Sequence, residues 1–509
     1  MEFMNEMKKT QDIGTLVSTE NGALGHKTTG KYLLDLNFSV SSLRNMREVH
    51  VASKFIAAFE EDPVLAMRWL FFARDVRGGM GERRLFRVCM KALAIRNSAL
   101  VEFLVPLVPI YGRWDDLWDL MYMTDGVRNA VVSVVKQQLD KDILAAKRND
   151  SISLLAKWMP SVNTSSDKTR RMARDLANSL GLTARQYRKI LSELRSKLNV
   201  TETMMSAKQW EDIDYESVPS RANLIYKDAF LRHDESRRNN YLESLQKGEK
   251  KINAATLFPH DVVHKYGWAP ALYALDKTVE QLWNNLPDYV QGNSSTMVVA
   301  DGSGSMCCSI SATRVTAWEV AHSLAIYFAQ HSKGPYRNRY ITFSSCPKFV
   351  SLDGRTLLEN IRIARNHSEI SNTNIKAVFD LILDTAIRTN CKQEDIPQNI
   401  LILSDMEFDT ATRGGRGFAS PSETLFDTIR NKWENAGYKI PRLVFWNICS
   451  RTGAIPMKEN DLGVVLVSGF SPSACKMVLT NELDPYKALL ETIMNPRYDA
   501  IENAVKDIV

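Results

Sequence analysis

At 509 residues the chain is too long for one ordinary hydrophobic core, and its 44% apolar and 24% charged residues are the mix of a folded protein rather than a disordered one. A net charge of +6 leaves room for an anionic partner without requiring one. The polar start, Met1 to Gln11, lacks the apolar core of a secretory signal, and no later stretch is apolar enough to span a bilayer, so a soluble, cytoplasmic protein with no membrane partner is expected. Seven scattered cysteines with no C-x-x-C spacing read as reduced thiols, not as a disulfide framework or a zinc site.

Residues 1–32 carry Gly22, Gly25 and Gly30 among Thr and Ser without periodicity, the pattern of a flexible arm. Over residues 33–290 apolar residues recur at three- and four-residue steps, as in the runs 54–59, 64–72 and 84–93, which predicts helices. Arg77-Gly-Gly-Met-Gly81, Pro106, Trp158-Met-Pro160 and Leu180-Gly181 break them, suggesting antiparallel helix pairs in a HEAT-like helical-repeat array. Residues 291–509 change to β-α alternation. Strands are predicted at 296–300, 339–343, 348–352, 399–404, 442–448 and 463–468, and helices at 313–331, 375–389 and 423–436. The expected fold class is α + α/β: an all-α domain followed by a doubly wound α/β domain.

The first strand of that second domain ends in Asp301-Gly-Ser303-Gly-Ser305, one carboxylate and two hydroxyls on a short loop, all hard oxygen ligands suited to a small divalent cation. Asp405 ends the fourth strand, and Thr373 precedes the helix 375–389. With strand order 3-2-1-4-5-6 the first and fourth strands are neighbours where the order reverses, so both carboxylates would flank one crevice. The plain alternative is that Ser303 and Ser305 cap the next helix. Asp301, Ser303, Ser305, Thr373 and Asp405 resemble, in type and order, the metal-ion-dependent adhesion site of the von Willebrand factor A domain. The resemblance implies a doubly wound von Willebrand factor A-like domain over 291–509. It implies Mg²⁺, or Mn²⁺ or Ca²⁺, held by those five residues with an open position for a partner's acidic residue. A hydrolase using Asp301 and Asp405 is the rival, and no His or Lys base accompanies them in these loops.

Phe72-Ala-Arg-Asp75-Val-Arg-Gly-Gly-Met-Gly-Glu-Arg83, Tyr111-Gly-Arg-Trp-Asp-Asp-Leu117, Ala156-Lys-Trp-Met-Pro160, Val218-Pro-Ser220 and Leu403-Ser-Asp-Met-Glu-Phe-Asp409 resemble an uncharacterised family, known only as a domain of unknown function, spread through plants, fungi, large DNA viruses and phages. The two-part layout is similar to the Ro autoantigen, whose TROVE domain is a helical-repeat ring that binds noncoding RNA. That layout implies a TROVE-like, ribonucleoprotein role.

Independently, Lys168, Arg170, Arg171, Arg174, Arg185, Arg188 and Lys189 crowd one segment around Tyr187, and Arg232, His233, Arg237, Arg238, Lys247, Lys250 and Lys251 form a second basic stretch. Such density suits a nucleic-acid backbone, single-stranded or structured, or else a solvated helix face balanced by acidic neighbours. Arg77-Gly-Gly-Met-Gly81 reads as a helix-helix turn rather than a phosphate loop, with Arg74, Arg77, Arg83 and Arg84 left to face a ligand or to pair with Asp75 and Glu82. His260 and His264 read as a helix start after Pro259, the aromatics of 111–118 as core packing, and Arg413-Gly-Gly-Arg-Gly417 as a basic lip or a plain loop. The expected function is a non-enzymatic RNA-binding protein whose metal site recruits an acidic partner. The alternative is a metal-dependent protein-protein interaction scaffold without nucleic acid.

Overall fold

The computed structural model describes residues 16–20, 24–198, 200–267, 269–290, 295–310, 314–368, 373–408, 425–456, 464–471, 474, 477, 484–506 and 508. By packing, the chain falls into two units, one made of residues 1–50 and 254–494, the other of residues 51–253 and 495–509. Packing therefore divides the chain differently from the change of pattern expected near 290. Both ends of the helical stretch, and the last residues of the chain, join units distant in sequence.

The first unit is built on a sheet of six strands: β3 (Thr296–Asp301), β4 (Arg339–Phe343), β5 (Phe349–Ser351), β6 (Asn399–Ser404), β7 (Arg442–Asn447) and β8 (Val464–Ser468). Before them β1 (Leu16–Ser18) and β2 (Leu24–His26) form a separate antiparallel pair. The spatial order of the large sheet is β5-β4-β3-β6-β7-β8, all parallel except β5, which runs antiparallel to β4. Counted within this sheet, that is the order 3-2-1-4-5-6. Strands β6, β7 and β8 are buried at every consecutive position, so both faces are covered, which is why they read as unbroken Val, Ile and Leu runs. Helix Ala317–His331 starts at Thr316, whose hydroxyl accepts from the Glu319 N–H while the Glu319 carboxylate returns to the Thr316 N–H. Helix Ile375–Thr389 is capped by Asn374 and stops at Asn390 in the left-handed region.

Segments remote in sequence complete this unit. The helix Tyr32–Phe38 and the turn after it lie on the last strands: the Asn37 amide donates to the Leu466 carbonyl at 3.3 Å, the Asn447 amide to the Phe38 carbonyl at 2.8 Å, and the Ser41 N–H to Ser468 Oγ at 2.9 Å. From the other side Glu280, buried, accepts from the Leu357 and Leu358 N–H groups at 2.7 and 3.1 Å, an acid placed on the positive end of helix Leu357–Asn366. The arm expected over residues 1–32 thus contains, in its described part, the β1–β2 pair, and β2 is bridged through His26 to Ile455.

In the second unit every described helix or strand element is helical. Helix Pro63–Arg74 begins with Asp62 as cap and Pro63 in the first turn. It buries Arg68 completely, and that guanidinium is satisfied by the C-terminal segment: the Asn495 carbonyl at 2.9 Å, Asp499 at 3.1 Å and Glu502 at 2.5 Å. The glycine-rich stretch is a helix-helix turn, as the sequence suggested. Gly79 and Gly81 both donate to the Asp75 carbonyl, and a Cβ at Gly79 would stand 1.8 Å from the Phe72 carbonyl oxygen. No helix among the described residues is long and apolar enough to cross a membrane.

His264 and His260 do not act together. The His260 ring lies against Phe258 and Phe470, whereas His264 Nδ1 is 2.8 Å from Glu319 Oε1. The Glu319 hydrogen bond holds the His264 pKa above its ordinary value. Burial pushes the Glu319 carboxyl up, but the His264 and Thr316 donors outweigh it and hold the group below the usual range. The pair therefore contributes fully between the ordinary values of about 4.3 for Glu and about 6.5 for His. Its contribution fades as pH rises through the raised His264 value, or falls through the lowered Glu319 value. His264→Gln should lower the melting temperature more at pH 6 than at pH 9, read by thermal unfolding at both. An equal loss at the two would remove His264 from the pH dependence.

Candidate functional site

The crevice follows from the strand order. β3 is flanked by β4 on one side and β6 on the other, so connections leave its carboxyl end in opposite directions and the loops after β3 and β6 part around a gap. Asp301 is the last residue of β3 and Asp405 the first beyond β6, and both are buried. Asp301 Oδ1 accepts from the Ser303 N–H at 2.9 Å and Oδ2 from the Ser404 hydroxyl at 2.7 Å. A Cβ at Gly302 would stand 2.4 Å from Ser368 Oγ, so any larger residue there would have to displace that side chain.

Ser303 opens the short turn Gly304–Cys307 but its side chain makes no capping bond; its hydroxyl lies 2.9 Å from that of Ser305. The long helix that follows is capped by Thr316 instead. Capping does not account for either serine. Ser305 stands near enough to Asp405 to lower its pKa, and Asp405 Oδ1 accepts from the Glu407 N–H at 3.2 Å. Thr373 is buried one residue ahead of the Asn374 cap, and its hydroxyl donates to the Glu407 carbonyl at 3.2 Å. Asp301, Ser303 and Ser305 are thus linked through Ser303, Asp405 acts on Asp301 from the neighbouring loop, and Thr373 reaches that same loop. Ser371 and Asn372 of the Thr373 loop, and Arg413-Gly-Gly-Arg-Gly417, lie outside the described residues.

Electrostatically the crevice is an acid pair with too little positive charge. Burial, and then Asp405 beside it, pushes the Asp301 pKa up to about 7. Burial also raises Asp405, against the Ser305 hydrogen bond and Arg451, whose guanidinium stands 3.3 Å from Asp405 and 2.8 Å from Glu20. Among the described residues no group of three or more His, Cys, Asp or Glu is arranged to hold a metal. Three of the five expected ligands are hydroxyls, a donor set of a different kind and one that suits hard cations.

Sequence reasoning missed several neighbours. Met406, between the two acids of the β6 loop, takes φ +63°, a conformation costing about 1 kcal/mol or more for a residue with a side chain. Glu407 is buried and accepts from the N–H groups of Glu20, Arg451 and Thr452 and from the hydroxyls of Ser450 and Thr452. Burial pushes its pKa up, and those backbone donors more than reverse it, so it stays a carboxylate. Thr19 donates to the Phe408 carbonyl at 2.6 Å, which ties the turn after β1 to the same loop. At the rim the Cys308 and Cys449 thiols are hydrogen-bonded, which draws the Cys308 pKa down to about 7 and raises that of Cys449. The only signal for these contacts was the acid run Asp405-Met-Glu407.

In the second unit the basic residues sort by what they touch. Helices Asp167–Ser179 and Ala184–Lys197 bury Met172, Ala173, Leu176, Tyr187, Leu191 and Leu194. Arg171, Arg174, Arg185 and Arg188 are exposed and make no ion pair among the described residues. Lys168 stands 3.9 Å from Asp119, Lys189 3.8 Å from Glu193, and Arg170 pairs with Asp167. Arg195 is a brace, donating to the Ala156 and Met159 carbonyls and to the Ser161 hydroxyl. In the second basic stretch Arg232, Lys247, Lys250 and Lys251 are exposed, and the other three serve the structure. Arg238 is fully buried among Tyr215, Phe230 and Tyr241, Arg237 pairs with Asp234, and His233 stacks on Trp210. The aromatic cluster is core as well: Tyr111 packs on Phe71 and Tyr498, and Trp118 donates to the Trp158 carbonyl.

Comparison with known proteins adds kinship. A profile described as a domain of unknown function (DUF7788) matches residues 295–502, and another, likewise a domain of unknown function (DUF2828), matches residues 182–295. An uncharacterized protein of Acanthamoeba polyphaga mimivirus is 31% identical over 530 residues, spanning 95% of this chain and 89% of the viral one.

Removing the Glu407 carboxylate would strand five donors in the interior. Glu407→Ala should cost roughly 3 kcal/mol, measured by urea unfolding, and Glu407→Gln less. A Glu407→Ala protein with the wild-type midpoint would show that the loop after β6 does not rest on it.

Proposed function

The chain belongs to the uncharacterised family that includes this mimivirus protein, and we propose that it is a non-enzymatic RNA-binding protein with a divalent-cation adhesion site. In this reading the helical unit is a HEAT-like, TROVE-like array, and the sheet unit a von Willebrand factor A-like domain. Asp301, Ser303, Ser305, Thr373 and Asp405 would hold the ion, Mg²⁺ in the first instance. Bound there, the ion would supply a Lewis-acidic position for the carboxylate of a protein partner.

The observation that carries this reading is the convergence of uncapped serine hydroxyls on two buried carboxylates that act on each other where the strand order reverses. Like charges buried together are costly, and a cation between them relieves that cost. Binding is favoured over turnover because Glu407, the other carboxylate of the loop, is committed to five donors, and Arg451 stays protonated. For RNA the support is the four exposed arginines of the helix pair that make no ion pair among the described residues, which suit phosphate without reading sequence.

The two parts are separable by experiment. Mg²⁺ or Mn²⁺ in large excess over its Kd should raise the melting temperature of the wild type, equivalent to about 2.7 kcal/mol at a hundredfold excess, and Asp301→Ala should lose both this rise and Mg²⁺-dependent capture of an acidic partner. Reversing Arg171 and Arg174 to Glu should weaken single-stranded RNA binding and flatten its salt dependence by roughly 0.7 in log-log slope for each phosphate no longer neutralised. No metal-induced shift refutes the adhesion site. A protein that purifies without nucleic acid and fails to shift RNA at moderate salt is instead the metal-dependent scaffold.

A further inference from the structure

Two motifs far apart in the sequence meet in the second unit and leave an excess of positive charge. Arg74, the buried last residue of helix Pro63–Arg74, approaches Asp116 Oδ2 at 2.7 Å through Nη2, and its Nε donates to the same oxygen at 2.8 Å. Arg87, on the next helix, donates through Nε to Asp116 Oδ1 at 2.7 Å and stands 3.0 Å from Asp115 Oδ2. Arg113 grips Asp115, its Nε 2.8 Å from Oδ1, and its guanidinium lies 3.8 Å from the centre of the Trp158 ring, which fixes the plane of the fork. Both carboxylates are therefore engaged by two arginines each.

Arg83 is the fourth guanidinium and is exposed. It makes no hydrogen bond or ion pair among the described residues, yet the largest charges acting on it are those of Arg113, Asp115, Arg74 and Arg87. Four guanidiniums against two carboxylates leave two positive charges uncompensated, and counting the flanking Glu82 and Arg84 does not change that excess. Its position makes matters worse. Arg83 is the first residue of helix Arg83–Arg96, whose first turn holds no acid and whose cap makes no side-chain bond. The start of a fourteen-residue helix thus carries an exposed cation in its first turn next to the buried acid Glu82, whose side chain makes no capping bond, and a further anion there would be stabilised. Partial desolvation, and then Arg113, draws the Arg83 pKa down to about 10, with Asp115 opposing it.

We propose that Arg83, with Arg87 and Arg113 beside it, forms a subsite for a terminal phosphate monoester, the doubly charged group that matches the local excess of two. A phosphodiester, with one charge, neutralises only half of it. Arginine forks and a helix start both suit phosphate oxygens. The subsite is independent of the cation crevice and of the basic helix pair. It takes the same group from either of two sources, a free nucleotide or the phosphorylated end of a polynucleotide.

The test uses the full-length protein with three probes at constant ionic strength: inorganic phosphate, adenosine monophosphate, and a single-stranded RNA with or without a 5′-phosphate. Phosphate and the nucleotide should bind the wild type, read by calorimetry, and Arg83→Gln should weaken them roughly tenfold, the worth of one charge-assisted hydrogen-bond pair. Arg83 holds no structural bond, so that variant should unfold at or above the wild-type temperature. Arg83→Lys, keeping the charge without the fork, should fall between. If a polynucleotide end is the source, the 5′-phosphorylated RNA binds more tightly than its hydroxyl twin and Arg83→Gln removes the difference; if the source is a free nucleotide, the two RNAs bind alike while the nucleotide remains sensitive. Reversal of Arg171 and Arg174 should weaken both RNAs together and leave their ratio unchanged, so failure of that face is told apart from failure here. Wild-type protein that binds neither phosphate nor nucleotide, or an Arg83→Gln variant that binds them as tightly as wild type, overturns the proposal.

Discussion

One buried carboxylate organises the first unit. Asp301 lies at the carboxyl end of the strand from which the sheet is wound in both directions, and its two oxygens are pinned by the Ser303 N–H and the Ser404 hydroxyl. Ser303 is held in its own loop and Ser404 is the end of the neighbouring strand, so the acid ties together the two loops that part at the reversal. Everything around it answers to this. At Gly302 the loop passes against Ser368, Met406 accepts an unfavourable backbone conformation on the opposite lip, and Glu407 gathers the following loops by accepting five hydrogen bonds.

How much of this the sequence disclosed depends on the range of the interaction concerned. The six strands were legible because a strand covered on both faces must be apolar at consecutive positions, and β6, β7 and β8 are buried at each of theirs, but helices Leu357–Asn366 and Pro485–Ile493 were not read. Helix Ile375–Thr389 was found to the residue, since Asn374 and Asn390 punctuate it locally. The strand order entered the sequence reading only as a condition, the common order of doubly wound sheets, and the sheet has that order. Asp301, Ser303, Ser305 and Asp405 were found by type and place in the loops.

What stayed hidden was pairing across hundreds of residues. Strands β1 and β2 have three residues each, too few for a period-two pattern to stand out from a Gly- and Thr-rich arm. Nothing local in Asn37 or Ser41 announces that they serve Leu466 and Ser468, and nothing in Arg68 announces Asp499 and Glu502. A run of charge is equally silent about its destination. Arg171 and Arg238 look alike in the sequence, yet one faces solvent and the other is enclosed by three aromatic rings. Helical period separates them only when the depth of packing on the far side is known.

The two units share an electrostatic property of opposite sign. In one, acids are brought together with less positive charge than they need; in the other, guanidiniums gather around too few acids at the start of a helix. Ordinary surface charges do not behave this way, because exposed groups relax apart into water and their mutual energy is small. Charge held together by buried backbone and by hydrogen bonds cannot relax. For a buried acid the cost of this is met by taking up a proton, which is what the raised Asp301 pKa expresses, or by a neighbouring charge of the other sign. An apolar replacement of similar volume would be the more stable choice for a purely structural role. Imbalance of charge around packed elements, rather than total charge, is therefore the feature that separates the buried Asp301 crevice, and the buried Arg74–Asp116 pair beside the exposed Arg83, from the many satisfied ion pairs of this chain.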